Sequence, residues 1–395
     1  MIKETIKAKV LLDTRSQKRL VSGHPWIFRS DIAGIEGEYE PGDIVDVYGK
    51  NRFMGRGYIN MRSQIAVRLL TDRDEEIDED FFYNRILSAW KYRQKFFDSD
   101  CSFRVVFAES DFLPALIVDK MGTVLIIQTL SLGIDRYKHL ICDILQQIIH
   151  PEAIYERNDA PVRTIEGLDQ RKGFIAGKCD TNTIIIENGL KFKIDFENGQ
   201  KTGYFLDQRE NRAAIASYAK DAEVLDCFCY IGSFGVHAAS YGAKKVYGID
   251  ISAKAVENAA QNAAANGYSD VCSFEESNVF DKLHELKDTG RQFDTIILDP
   301  PAFAKSRSTL ENAVRGYKEI NLRAIKLLKS GGFLVSCSCS HHLNEQLFLD
   351  LILQASVDAK RKLKLVELRP QPKDHPVLLA LPESKYLKCA IFQVI

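Results

Sequence analysis

The sequence predicts an α/β protein in which a doubly wound, Rossmann-like domain follows a β-rich barrel and a small α+β module. Three observations carry this. After residue 221 short apolar strands alternate with helical patterns, the rhythm of a parallel sheet covered on both faces. Before residue 73 period-two segments are punctuated by Pro41-Gly42, Tyr48-Gly49 and Gly55-Arg56-Gly57, as in a curled sheet or barrel. Between them the order strand, strand, helix, strand describes a module of its own. The expected domains are therefore residues 1–72, 73–187 and 188–395.

Taken in order, the barrel strands are Ile6 to Leu12, Asp43 to Val47 and Ile65 to Leu70. The acidic stretch Asp72 to Asp80 leads into a helix over Phe81 to Phe97, marked by apolar residues at three- and four-residue intervals. The middle module reads as strands Phe103 to Phe107, Ala115 to Asp119, Thr123 to Thr129 and Ala153 to Glu156, with a helix over Asp135 to Ile149. A hairpin follows, Thr183 to Glu187 and Lys191 to Phe196, turned by Asn188-Gly189. The last region has strands at Glu223 to Asp226, Lys245 to Asp250, Val271 to Glu275, Thr295 to Asp299 and Gly332 to Ser336. Helices are expected from Ser233, over Ser252 to Asn266, and in a long segment ending at Lys329. Leu363 to Leu368 and Tyr386 to Val394 would close the sheet in antiparallel fashion.

Composition narrows the function classes. The 395 residues exceed one ordinary domain, and 45% hydrophobic residues support real cores. No apolar run approaches the roughly 18 residues of a membrane span, and Met1-Ile2-Lys3-Glu4 opens into alternation without a signal-peptide core. A cytoplasmic, membrane-independent protein is the expectation. Nine cysteines without a regular framework fit a reducing compartment and predict no disulfide. The pairs Cys227/Cys229 and Cys337/Cys339 lack zinc-module spacing, so no metal is expected. A formal charge of −1 excludes a uniformly basic nucleic-acid binder; positive charge for such a partner must be local.

The first turn of the doubly wound region, Asp226-Cys227-Phe228-Cys229-Tyr230-Ile231-Gly232-Ser233-Phe234-Gly235, leaves a strand and opens a helix. Gly232 lets backbone approach a ligand, and Asp226 can accept from a cationic amino-acid head. A dinucleotide fingerprint needs three glycines at fixed spacing, which this loop lacks. About twenty residues on, Asp250 ends a strand where a carboxylate can receive both hydroxyls of a ribose, and Ser252 can cap the next helix. Asn278, at the third strand end, offers an amide to an adenine edge.

Two further segments carry chemistry. In Leu298-Asp299-Pro300-Pro301-Ala302-Phe303 the prolines fix the chain, so the acid and a carbonyl are held in set geometry, and an acid there can bond the amino edge of cytosine. In Ser336-Cys337-Ser338-Cys339-Ser340 a thiol ends a strand. The bland readings are a rigid exit for the first and a buried strand cysteine for the second; together they supply covalent attack on a pyrimidine and a hold on its polar edge.

These segments, with Gln200-Lys201-Thr202-Gly203-Tyr204-Phe205-Leu206-Asp207-Gln208-Arg209, Asp374-His375-Pro376 and Tyr386-Leu387-Lys388, resemble the bacterial class I S-adenosylmethionine-dependent large-subunit (23S) rRNA cytosine-5 methyltransferases with an N-terminal PUA domain. The resemblance runs the whole length. It implies a PUA-like barrel, a middle α+β domain and a Rossmann-like methyltransferase domain. It further implies S-adenosylmethionine as cofactor, held by Asp226, Phe228, Gly232, Phe234, Asp250, Ile251, Asn278 and Gln208. Cys339 would be the nucleophile toward C6 of the base and Asp299 its catalytic partner. Independently of the resemblance, Arg15, Lys18 and Arg19 precede Gly23-His24-Pro25-Trp26-Ile27-Phe28-Arg29, interleaving basic and aromatic groups as RNA contacts do; the candidate rRNA contacts are Arg19, His24, Trp26, Lys201 and Pro300, and a homodimer is a further candidate assembly.

The chain departs from the pattern twice. Asn278 stands where many methyltransferases carry an acid, and Ala302 where the two-cysteine enzymes carry a second cysteine after Pro-Pro. The group assisting product release is therefore open among Cys337, His341, His342 and water. For Trp26 and Phe28 the competing reading is barrel core, and Lys360, Arg361, Lys362 and Lys364 read as a solvated strand edge. The alternative activity is methylation of a nitrogen on a purine base of rRNA or on a protein amide, where Asp-Pro-Pro suffices without a cysteine. A non-catalytic ribosomal RNA binder is the third reading, opposed by the intact cofactor-site residues.

Overall fold

The structure is a computed structural model and describes residues 6–303 and 310–395. The opening residues Met1 to Glu4 lie outside them. The chain forms two compact units: the first comprises Met1–Ile185, Ile194–Leu206 and Lys373–Ser384, the second Ile186–Lys193, Asp207–Pro372 and Lys385–Ile395.

In the first unit, a six-stranded sheet is built from β1 (Ala8–Leu12), β2 (Trp26–Phe28), β3 (Ile32–Gly37), β4 (Ile44–Gly49), β5 (Arg52–Ile59) and β6 (Ile65–Thr71), in the order β2-β6-β5-β4-β1-β3. Gly55 and Gly57, expected in a turn, sit inside β5. The reason is steric: a Cβ on Gly57 would lie 2.1 Å from the Arg68 carbonyl oxygen, so glycine here permits close strand approach rather than chain reversal. A five-stranded sheet follows, β7 (Phe103–Phe107), β8 (Leu116–Met121), β9 (Val124–Thr129), β10 (Ala153–Asn158) and β11 (Arg171–Gly177), in the order β11-β10-β9-β8-β7. The helix expected over Asp135 to Ile149 is two helices, Leu132–Arg136 and Lys138–Ile149, interrupted at Tyr137. One apolar cluster joins Tyr58 and Leu70 to Phe81, Phe82, Phe103, Leu116 and Leu145.

The hairpin β12 (Asn182–Glu187) and β13 (Leu190–Asp195) turns through Asn188 and Gly189, both at positive φ (50° and 82°), as a two-residue turn of this hand requires. The second unit's sheet contains β14 (Glu223–Cys227), β15 (Lys245–Asp250), β16 (Cys272–Glu276), β17 (Phe293–Leu298), β18 (Leu328–Ser338), β19 (Leu363–Arg369) and β20 (Lys388–Val394). Their order is β16-β15-β14-β17-β18-β20-β19, and β20 pairs antiparallel to both β18 and β19. Strand order reverses between β14 and β17. In such sheets ligands bind in the crevice at that reversal, beyond the carboxyl ends of the strands. Helices Val279–Asp288 and Glu345–Asp358 were not expected from the sequence. Leu283, Phe293, Ile320, Leu334 and Phe348 anchor the core on one face; Val224, Phe234, Val246, Val335 and Ile391 anchor the other.

Candidate active site

Asp226, in β14, is fully buried. One carboxylate oxygen, Oδ2, accepts the Gly235 N–H at 2.8 Å; Oδ1 is buried with no hydrogen-bond partner among the described residues. Burial pushes its carboxyl up to about 8, and the nearby Asp299 and Asp250 add to the rise. A buried acceptor left unmatched costs free energy, so the site suits a bound cation or donor.

The chain then crosses to the next helix through Phe228 (φ 63°) and Tyr230 (φ 49°), both left-handed, and Gly232 (φ 77°). A Cβ at Gly232 would meet the Ala259 Cβ at 2.9 Å, which reserves that position for glycine. Asp250 fastens this crossing. Its Oδ2 accepts the Tyr230 N–H at 2.9 Å and its Oδ1 accepts the Ser252 N–H at 3.0 Å. Beside it Ile251 is 70% exposed, an apolar surface at the strand end. Phe234, by contrast, is buried in the core. Asn278 caps the Val279–Asp288 helix: its Oδ1 accepts the Phe280 N–H at 2.9 Å. The oxygen of the amide expected at an adenine edge is thus already engaged, while its N–H groups are not part of the cap.

On the other side of the reversal, Asp299 follows β17 and its backbone N–H donates to the Cys227 carbonyl at 3.4 Å. Its Oδ1 accepts from Gln208 Nε2 at 2.8 Å, and Gln208 Oε1 accepts from Asn211 Nδ2 at 2.7 Å. Gln208, expected along the cofactor, is therefore buried against the acid of the Asp-Pro-Pro segment. Pro300 is buried, and Phe303 packs its ring on Tyr317 at 4.7 Å.

Cys339 lies one residue past the end of β18 and is half-buried. Its flanking Ser338 and Ser340 are buried; the Ser338 hydroxyl donates to the Tyr317 phenol oxygen at 3.1 Å, and Ser340 Oγ lies 3.1 Å from the same phenol. The Phe303 backbone also bonds that phenol, so Tyr317 ties the Asp-Pro-Pro exit to the Ser-Cys-Ser segment. Cys337 differs: it pairs across the sheet with Cys389, and that hydrogen-bonded contact together with burial holds its thiol well above the ordinary range. This removes it as an accessible assistant. Cys227 and Cys229 are likewise buried, their thiols pushed far up by burial. His341 is exposed and stacks on Tyr386, whose hydroxyl donates to Asp207 at 2.6 Å. Lys388 Nζ donates to the carbonyls of Ser340 (2.8 Å) and Leu343 (2.7 Å). Sequence reasoning missed Tyr317 and the Gln208–Asp299 contact, and it singled out Lys388 only as part of the Tyr386-Leu387-Lys388 segment, without a role.

The remaining candidates belong to the first unit. Arg19 pairs with Asp31 and lies over the Phe28 ring; His24 is buried and its Nδ1 accepts the Trp26 N–H at 3.2 Å; Trp26 Nε1 donates to Glu109 at 2.8 Å. Burial lowers the His24 pKa. Lys201 is exposed, its ammonium 4.7 Å from the Phe205 ring centre. Among the described residues no group of three or more His, Cys, Asp or Glu could hold a metal, no disulfide forms, and no helix is long and apolar enough to cross a membrane.

Comparison with known proteins adds a direct finding. Residues 10–72 match the PUA-like domain model and residues 168–389 the S-adenosylmethionine-dependent methyltransferase model. Curated relatives named ribosomal RNA large subunit methyltransferase I include those of Tolumonas auensis (40% identical over 393 residues, 98% of this chain and 99% of the relative) and Aeromonas hydrophila (40% over 390 residues, 97% and 98%). Two solved structures share the fold. One is from Streptococcus mutans, described as of S-adenosylmethionine-dependent methyltransferase type (TM-score 0.84, 20% identity, 98% of this chain and 100% of that one). The other was solved in complex with SAH (TM-score 0.86, 19% identity, 98% and 100%).

Proposed function

The chain belongs to the S-adenosylmethionine-dependent methyltransferase family that carries an N-terminal PUA-like domain, and on that premise we propose that it methylates large-subunit ribosomal RNA, forming 5-methylcytosine through a bond between Cys339 and C6. The observation that carries the cytosine-5 reading is the contrast between two cysteines on one strand end. Cys337 is sealed in the sheet, whereas Cys339 is half-buried beyond it, held between serines that share the Tyr317 phenol with the Asp-Pro-Pro exit.

The cofactor residues fit S-adenosylmethionine: among the described residues Asp226 Oδ1 is a buried acceptor without a partner, and Gly232 keeps a Cβ out of the loop. Asp226, Asp250, Ile251 and Asn278 would hold it, together with Phe228. When bound, it supplies an electrophilic sulfonium methyl group, the one C5 of the ring takes. The chain's own work is at the base. A cytosine leaves its stack at a cost of a few kcal/mol. Cys339 adds as thiolate to C6, breaking the C5–C6 double bond and concentrating electron density at C5. Asp299, oriented by Gln208, holds the N3–N4 edge while that density builds. A base, for which water is available, then takes the C5 proton, its bonding pair re-forms the C5–C6 double bond, and sulfur leaves C6 with the C–S pair.

The test is nucleoside mass spectrometry of large-subunit rRNA lacking this modification, incubated with purified protein and S-adenosylmethionine beside the Cys339→Ala variant. New 5-methylcytidine that vanishes in the variant is the expected result. A methylated purine, or product surviving the substitution, would replace this reading with nitrogen methylation.

A further inference from the structure

We propose that Lys388 is the group that takes the proton from Cys339 and holds its sulfur as the attacking thiolate, a proposal that rests on Cys339 being the nucleophile. Register and hydrogen bonding place the tip of Lys388 against the segment that carries Cys339. Lys388 opens β20 and pairs with Ser338, the residue before Cys339. Its side chain is only 5% exposed and is anchored at its tip by two carbonyls, Ser340 O and Leu343 O, of the segment that carries Cys339 past the strand.

The bonding of that nitrogen suits proton exchange. Two N–H groups are spent on the carbonyls. The remaining position on nitrogen is a lone pair in the amine and a third N–H in the ammonium. Two neutral carbonyls do not neutralise a buried ammonium, and such a charge is expensive without a counter-ion. The Cys339 thiolate is the foremost charge favouring protonation of Lys388. Among the described residues, the other charged and titratable groups facing the pair include Glu345, which also bonds Lys385, Lys385 itself, and Tyr317 from the Leu310–Leu327 helix. Burial lowers Lys388 to about 8, close to the roughly 8.5 of an ordinary thiol, so the proton can pass either way with little driving force. In the step, the Sγ–H bond breaks, its electron pair stays on sulfur, and the proton becomes the third N–H of Lys388. On release, sulfur leaves C6 with the bonding pair and can recover that proton.

The competing role for Lys388 is a fastener of the Ser340 to Leu343 turn. Titration of the sulfur separates the two, because a fastener alters stability and leaves thiol acidity alone. Alkylation of Cys339 by iodoacetamide, followed across pH by peptide mass spectrometry on the full chain without RNA, reads that acidity directly. We expect a wild-type midpoint below about 8.5. Lys388→Met should raise it by one unit or more and slow alkylation at pH 7 about tenfold, whereas Lys388→Arg, a permanent cation at the same place, should keep the low midpoint. A wild-type midpoint at or above that of an ordinary thiol overturns the proposal even if the variants fail to fold, as does a Lys388→Met profile that does not move. Methylation surviving Cys339→Ala overturns the nucleophile reading and this proposal with it; methylation that needs Cys339 while its acidity ignores Lys388 overturns this proposal alone.

Discussion

The strand ends on the two sides of the sheet reversal differ in where their polar side chains find partners. At the carboxyl ends of β14, β15 and β16, Asp226, Asp250 and Asn278 accept from backbone N–H groups no more than twenty residues away: Gly235, Tyr230 and Ser252, and Phe280. Beyond β17 and β18 the partners are side chains or carbonyls drawn from far along the chain. Gln208 reaches Asp299 across 91 residues, Lys388 reaches Ser340 across 48, and Tyr317 meets Ser340 across 23. The first arrangement shapes backbone into a receptacle. The second fixes individual side chains through long-range contacts, the kind of arrangement that chemistry at a fixed geometry requires.

That division predicts a sharp difference between substitutions on the two sides. The largest effect is expected from Gln208→Leu, which removes the donor to Asp299 Oδ1 and the acceptor for Asn211. If Gln208 orients the acid for the base, kcat should fall about 100-fold, on the order of 3 kcal/mol, with cofactor affinity within about twofold of wild type. Single-turnover methylation and calorimetric binding of S-adenosylhomocysteine separate the two quantities. A loss of affinity with kcat intact would assign Gln208 to the cofactor, the role its sequence motif suggested, and dissolve the contrast between the sides.

The same division governs what could be read from the sequence. Strand ends followed by an acid, a glycine and a helical pattern are local signals, so β14, β15 and the cap at Ser252 were legible within a residue or so. The glycines of β5 were misread because a turn and a close strand approach call for the same residue, and only the neighbouring strand distinguishes them. Asn278 was placed at the correct strand end, but the sequence could not show that its oxygen is spent on a helix cap. Tyr317 was invisible in principle: on its helix it is one apolar-face residue among several, and its phenol acquires significance only where two distant loops converge on it.

A second substitution probes the receptacle through pH. Burial raises the Asp226 carboxyl to about 8, well above its unfolded value of 3.8. A group shifted in this direction contributes stability that is fully present below the unfolded pKa and lost as pH rises through the folded one. Without cofactor, the wild type should therefore lose stability relative to Asp226→Asn between pH 4 and pH 8, by about 2 kcal/mol after allowance for relaxation around the buried charge. Thermal melts across that range measure it. A difference independent of pH would mean that the carboxyl is ionised in the fold throughout and is matched by a partner.

The smallest effect is expected at Asn278, where the comparison is most exposed to failure. As a helix N-cap it should contribute about 1 kcal/mol to stability, and because its oxygen already accepts the Phe280 N–H, only its amide N–H groups are left for a nucleoside base. Asn278→Ala should lower the melting temperature by a few degrees and weaken S-adenosylhomocysteine binding less than about fivefold, under 1 kcal/mol. Asn278→Asp keeps an acceptor for the cap, as aspartate and asparagine cap helices almost equally well, and should restore stability while leaving affinity near that of the alanine variant. If affinity instead falls tenfold or more in both variants, the amide donors contribute substantially to binding, and this strand end would combine a backbone cap with direct ligand recognition in one side chain.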